Sequence, residues 1–121
     1  MKKILIIDDQ APMAKILGDI LKKEKFDVST ASNGQLGIDK TKELKPDLVI
    51  TDIMMPVKTG WDVLKELRAI PEFDTTPIFI ITAKGGGNDA KIAKEEGANG
   101  FIHKPFSPSQ IVDEIKKILG E

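Results

Sequence analysis

Three stretches of this chain are apolar without interruption: ILII at 4–7, LVI at 48–50 and IFII at 78–81. Each is rich in β-branched residues and lies near a turn signal. A strand with one wet face alternates apolar and polar residues. A continuous run implies cover on both faces, as in a parallel sheet. That requirement constrains the fold more than any other feature, because parallel strands must be joined by long crossover connections, usually helices. Two weaker and more polar segments, VSTA at 28–31 and GFIH at 100–103, also read as strands.

Amphipathic stretches lie between the runs. Ile16, Leu17, Ile20 and Leu21 form one expected apolar stripe. Leu64 and Leu67, with Trp61 nearby, form another. Ile111, Val112, Ile115, Ile118 and Leu119 give the clearest helix, with Lys and Glu on the opposite face. Pro12 suits a first helical turn, Asn33 and Ser107 suit N-caps, and Pro108 follows Ser107 at the favoured first position. No internal repeat, linker or low-complexity tail interrupts the pattern. The expectation is a single α/β domain over residues 1–121, with βα repeated five times and right-handed crossovers. The three most apolar strands belong inside the sheet and the two weaker ones at its edges. This favours the flavodoxin-like order 2-1-3-4-5, with helices on both faces.

Composition narrows the function classes. Lys and Arg number 18 against 19 Asp and Glu, a formal net charge of −1, which argues against a dominant nucleic-acid or anionic-membrane surface. Cysteine is absent, which excludes disulfides, thiolate metal sites and cysteine nucleophiles. The apolar run after Lys2 and Lys3 stops at Asp8 and Asp9, too short for a signal peptide, and no stretch reaches transmembrane length. The expected setting is cytoplasmic, without a membrane or direct nucleic-acid partner.

In a sheet of this order the strand C-termini share one edge, and ligands bind there beside the switch point between the first and third strands. Asp8 and Asp9 follow the first run, Asp52 follows the third, Thr82 the fourth and Lys104 the fifth. Each has an ordinary reading taken alone. Asp8 and Asp9 suit a surface or a helix N-cap, Asp52 a turn, Thr82 a strand end and Lys104 a solvated loop. Their convergence on one edge changes that balance. Three carboxylates held close resist ionising together. A hard divalent cation removes the conflict, and oxygen ligands without Cys or His point to Mg²⁺. Asp52, ionised beside the metal, can act as a nucleophile toward phosphorus. Lys104 and the Thr82 hydroxyl can then hold the phosphoryl oxygens.

The motifs IDDQ, TDIMMPVKTG, ITAKG and HKPF, in this order and spacing, closely resemble those of response-regulator receiver domains of two-component signalling. The resemblance runs from Lys3 to about Leu119. It implies that Asp52 accepts a phosphoryl group from the phosphohistidine of a sensor histidine kinase or phosphotransfer protein. Asp8 and Asp9 would hold Mg²⁺ together with Asp52 and the backbone carbonyl of Met54. Lys104 would pair with the phosphate, Thr82 would move to bind it, and Phe101 would change rotamer with Thr82. Lys104–Pro105 would be a cis peptide. The surface of the fourth helix, fifth strand and fifth helix would meet a downstream target, in a monomer or a phosphorylation-dependent dimer.

Some positions depart from the family's commonest pattern. Thr59 stands where many receivers carry Asp, and Phe101 stands where Tyr is equally frequent. His103, the sole histidine, reads as an ordinary strand-end residue. Gly85, Gly86 and Gly87 predict a mobile loop and fourth helix, and Met54 and Lys84 are expected to tune water access to the phosphoryl group. The chain ends after the fifth helix, which leads us to expect a stand-alone regulator without a DNA-binding output domain, and adjacent Asp8 and Asp9 in a small domain without a cap argue against turnover on outside substrates. Two other classes suit the same fold. A Mg²⁺-dependent phosphohydrolase would place its nucleophile after the first strand and carry a cap. A flavin-binding module would need a Ser/Thr/Gly-rich phosphate loop where this chain has DDQAP, and aromatic rings it lacks.

Overall fold

The three apolar runs become the middle of the sheet. The computed structural model describes residues 1–82 and 89–120. In chain order the elements are β1 (Lys3–Ile7), α1 (Ala11–Lys23), β2 (Asp27–Ala31), α2 (Gly34–Leu44), β3 (Leu48–Asp52) and α3 (Gly60–Ala69). There follow a short 3₁₀ turn (Pro71–Phe73), β4 (Ile78–Thr82), α4 (Asp89–Glu95), β5 (Gly100–His103) and α5 (Pro108–Leu119). All neighbouring strands pair in parallel, in the order β2-β1-β3-β4-β5. The expected flavodoxin-like order is therefore the observed one.

Strand geometry sends successive side chains to opposite faces, and both faces are covered. On one face Leu5, Ile7, Val49 and Ile80 pack with Ile38 of α2, Val63, Leu64 and Leu67 of α3, and Ala93 of α4. On the other, Ile4, Ile6, Leu48, Ile50, Phe79 and Ile81 pack with Leu17 and Leu21 of α1 and Ile111 and Ile115 of α5. This two-sided burial is the physical reason the central strands carry no alternation. The edge strand β2 leaves Asp27 and Thr30 exposed, as its polar sequence requires.

Local signals set the helix starts. Asn33 Oδ1 accepts the Leu36 N–H at 2.9 Å, and Ser107 Oγ accepts the Gln110 N–H at 3.1 Å, so both expected caps are in place. Thr59 and Asp62 form a reciprocal capping box at the start of α3. The apolar face of α1 is narrower than expected, and that of α4 is narrower still. In α1 the buried face is Ala14, Leu17, Gly18 and Leu21, while Ile16 is exposed and Ile20 half-buried. A helix turns about 100° per residue, so Ile16 falls off the sheet-facing side that Leu17 occupies. In α4, Ala93 alone is buried, and Ala90 and Ile92 face solvent. The glycines 85–87 and Lys84 lie outside the described residues, as does the loop expected to be mobile.

Candidate functional site

The ends of β1, β3, β4 and β5 bring side chains to a common edge. Asp8 continues β1: its N–H donates to the Ala31 carbonyl at 3.0 Å, and its Oδ1 accepts the Gln10 N–H at 2.9 Å. The N-cap of α1 is Gln10, without a side-chain capping bond, so neither Asp8 nor Asp9 serves as the cap. Asp52 is the last residue of β3. Its Oδ1 accepts the Met54 N–H at 3.2 Å, which bends the chain out of the strand. Gly60 makes that bend possible. A Cβ there would lie 2.3 Å from the Asp52 carbonyl oxygen, and the Gly60 N–H donates to Ile53 O at 2.9 Å.

Lys104 reaches the cluster from β5. Its N–H donates to the Thr82 carbonyl at 2.8 Å, and the peptide bond to Pro105 is cis. The ammonium lies 2.8 Å from Asp52 Oδ2 and 3.3 Å from Asp8 Oδ2. All three side chains are almost fully buried, at 8% exposure or less. Asp9 is exposed at the mouth. Asp8, Asp9 and Asp52 each offer an oxygen, and these oxygens lie within 4.8 Å of one another.

The electrostatics follow from this crowding. Burial pushes the Asp8 carboxyl above its ordinary value, and the Asp52 charge adds to the rise. The Gln10 N–H and Lys104 oppose it without cancelling it. Burial also works against the Lys104 ammonium. Its hydrogen bond to Asp52 and the charges of Asp8 and Asp52 outweigh that and hold its pKa above the usual lysine value. One ammonium serves two buried carboxylates, and a third stands at the rim. The donor set is all oxygen, with no His or Cys in the cluster, which fits a hard cation such as Mg²⁺.

The other expected site residues are distributed around this core. Thr82, buried at the end of β4, sits on the strand between Asp52 and Lys104. Phe101 is half-buried against the core cluster that contains Ala93 of α4. Its ring meets His103 edge-on at 5.0 Å between centroids, and His103 is an exposed strand-end residue. Met54 is exposed on the outgoing loop. Gly60 and the capping box escaped the sequence reading. The Thr-x-x-Asp spacing of residues 59–62 was the signal available for the second.

A parallel α/β sheet with an oxygen-rich acidic site and a buried lysine at its switch-point edge defines a flavodoxin-like domain built around charge. The comparisons narrow the class. The family model described as the response regulator receiver domain matches residues 4–116. The DNA-binding response regulator MtrA of Mycobacterium tuberculosis is 36% identical over 118 residues, which is 98% of this chain and 50% of that protein. The chemotaxis response regulator CheY4 of Vibrio cholerae superposes with a TM-score of 0.91 at 28% identity, covering 98% of each chain. A response regulator receiver domain protein from Clostridium thermocellum gives 0.92 at 30%, covering 99% of this chain and 95% of that one. The chain belongs to the response regulator receiver domain family of two-component signalling. It spans about half the length of the MtrA relatives it matches. Among the described residues no helix is long and apolar enough to cross a membrane.

Proposed function

We propose that this domain is a phosphoacceptor switch in which Asp52 takes a phosphoryl group from a phosphohistidine on a sensor kinase or phosphotransfer protein. The observation that carries the reading is the buried Asp52–Lys104–Asp8 network, with Asp9 at its mouth. A carboxylate oxygen of Asp52 attacks phosphorus, the phosphorus–nitrogen bond breaks, and the imidazole leaves with the bonding pair. Lys104, already 2.8 Å from Asp52, is positioned to neutralise the transferred phosphoryl oxygens. The Thr82 hydroxyl supplies a further donor from the neighbouring strand. Asp8, Asp9, Asp52 and the Met54 carbonyl would hold Mg²⁺, which when bound offsets the carboxylate charge and shields the incoming phosphoryl group. The domain modifies itself and does not turn over outside substrates.

The output follows from the weakly held end of the fold. α4 buries Ala93 alone, and a cavity of about 250 Å³ opens between α4 and β5, with Phe101 in its wall. A phosphoryl group that prefers one arrangement of Thr82 and Phe101 shifts this surface by its differential affinity alone. We assign the face of α4, β5 and α5 to a downstream protein partner, in the cytoplasm. The test is incubation with Mg²⁺ and acetyl phosphate followed by intact-mass measurement. One phosphoryl group is expected on the wild type, and none on Asp52→Asn or without Mg²⁺. Labelling that persists in Asp52→Asn would sink the assignment.

A further inference from the structure

Four methionines occur in the chain, and they differ sharply in exposure. Met55 is buried at 8% and Met13 is half-buried, whereas Met54 is 59% exposed and the terminal Met1 88%. Met54 is not a loose end. Its backbone N–H donates to Asp52 Oδ1 at 3.2 Å, which ties this exposed, thioether-bearing residue to the carboxylate proposed above as the phosphoacceptor. An unbranched apolar side chain this exposed gains little from its own packing. Its chemistry is that of a soft, oxidisable sulfur.

We propose that Met54 is an oxidation site through which hydroperoxides slow phosphoryl transfer to Asp52. The thioether sulfur attacks one peroxide oxygen: a sulfur–oxygen bond forms, the oxygen–oxygen bond breaks, and the other oxygen takes the proton and leaves as water from hydrogen peroxide, or as an alcohol from an organic hydroperoxide. The sulfur is oxidised by two electrons and the peroxide is reduced by two. The product replaces an exposed apolar group two residues beyond Asp52 with a sulfoxide, whose oxygen carries partial negative charge. Three carboxylate oxygens, one of them from Asp52, already lie within 4.8 Å of one another. An added dipole of that sign works against an anionic phosphodonor. Methionine sulfoxide is reversible enzymatically, so the effect is a modulation and not a lesion.

The inference rests on Asp52 being the phosphoacceptor, and the experiment keeps the two apart. The full chain is treated with limiting hydrogen peroxide, the order of methionine oxidation is read by peptide mass mapping, and the labelling rate with acetyl phosphate and Mg²⁺ is compared before and after. Oxygen is expected on Met1 and Met54 well before Met55, with labelling about threefold slower or more, restored by methionine sulfoxide reductases. In Met54→Leu the ratio of treated to untreated rate stays at one, whatever its basal rate, and Met1 oxidation is common to both proteins. Oxidation of Met55 ahead of Met54, or an equal slowing in Met54→Leu, overturns the proposal. A chain that takes no label even before oxidation overturns the phosphoacceptor reading and the regulation with it, while the order of oxidation still tests Met54 as the reactive sulfur.

Discussion

The body and the end of the central strands are built on opposite principles. Within β1, residues Ile4 to Ile7 are 0–1% exposed and pack into the apolar clusters on both faces of the sheet. One residue further on, Asp8 is buried nearly as deeply among groups of its own charge. The same contrast recurs in β3, where Leu48, Val49 and Ile50 lead to Asp52. The apolar body supplies the free energy and stiffness that keep like charges together at the end. A softer sheet would let the carboxylates drift apart into water. The site is thus a local conflict held in place by the rest of the fold.

The contrast can be broken most severely from the apolar side. Leu64 is fully buried against the sheet, and Leu64→Ala should lower unfolding free energy by about 2–5 kcal/mol. Urea denaturation reads this directly, and a loss within experimental error would mean that the core does not hold the site.

A change at the acidic end should act with the opposite sign. Asp8→Asn should stabilise the metal-free protein by about 1 kcal/mol, because it removes a desolvated carboxylate while Lys104 keeps its partner Asp52. The pH dependence fixes the sign. The Asp8 carboxyl is raised in the folded state above its ordinary 3.8, so the fold binds that proton more tightly than the unfolded chain does. Asp8 therefore contributes stability below about pH 3.8, and that contribution is lost as pH rises through the raised value. The advantage of Asp8→Asn should be small in acid and complete at neutral pH. Millimolar Mg²⁺ should then erode it by stabilising the wild type preferentially. Thermal unfolding across pH, with and without Mg²⁺, checks both, and a wild type more stable than Asp8→Asn at neutral pH without metal would refute the conflict.

The smallest effect belongs to the loop between these regions. Val57 has φ +70, and the Lys58 N–H donates to the Pro56 carbonyl at 2.8 Å, as in a γ-turn around a β-branched residue. Val57→Asn should stabilise by roughly 0.5–1 kcal/mol, since Asn tolerates a positive φ better than Val. Equal or lower stability would show that the loop is not strained there.

The sequence made the strand order legible because burial on both faces leaves uninterrupted apolar runs at 4–7, 48–50 and 78–81, and polar edges elsewhere. It made the acidic cluster legible because topology alone carries the ends of β1 and β3 to one edge. Other features leave no such trace. Arg68 joins α3 to the turns around it by donating to Phe73 O, Thr76 O, Gly97 O and Asn99 Oδ1. Most of those acceptors are backbone carbonyls, which every residue owns. Val57 is β-branched, which predicts against the positive φ it adopts. Ile16 of α1 faces solvent, because an apolar residue on a helix does not by itself say which face the sheet covers. Thr59 departs from a family pattern, yet its spacing to Asp62 is that of a helix cap.

The central claim is that the conflict at the strand ends exists to make one carboxylate, Asp52, a phosphoacceptor. The direct measurement is chemical trapping: labelling with acetyl phosphate and Mg²⁺, reduction of the acyl phosphate with borohydride, and peptide sequencing by mass spectrometry. Homoserine at position 52 alone is the predicted result. Homoserine at position 8 or 9, or none in a chain that has gained phosphate, would contradict the account.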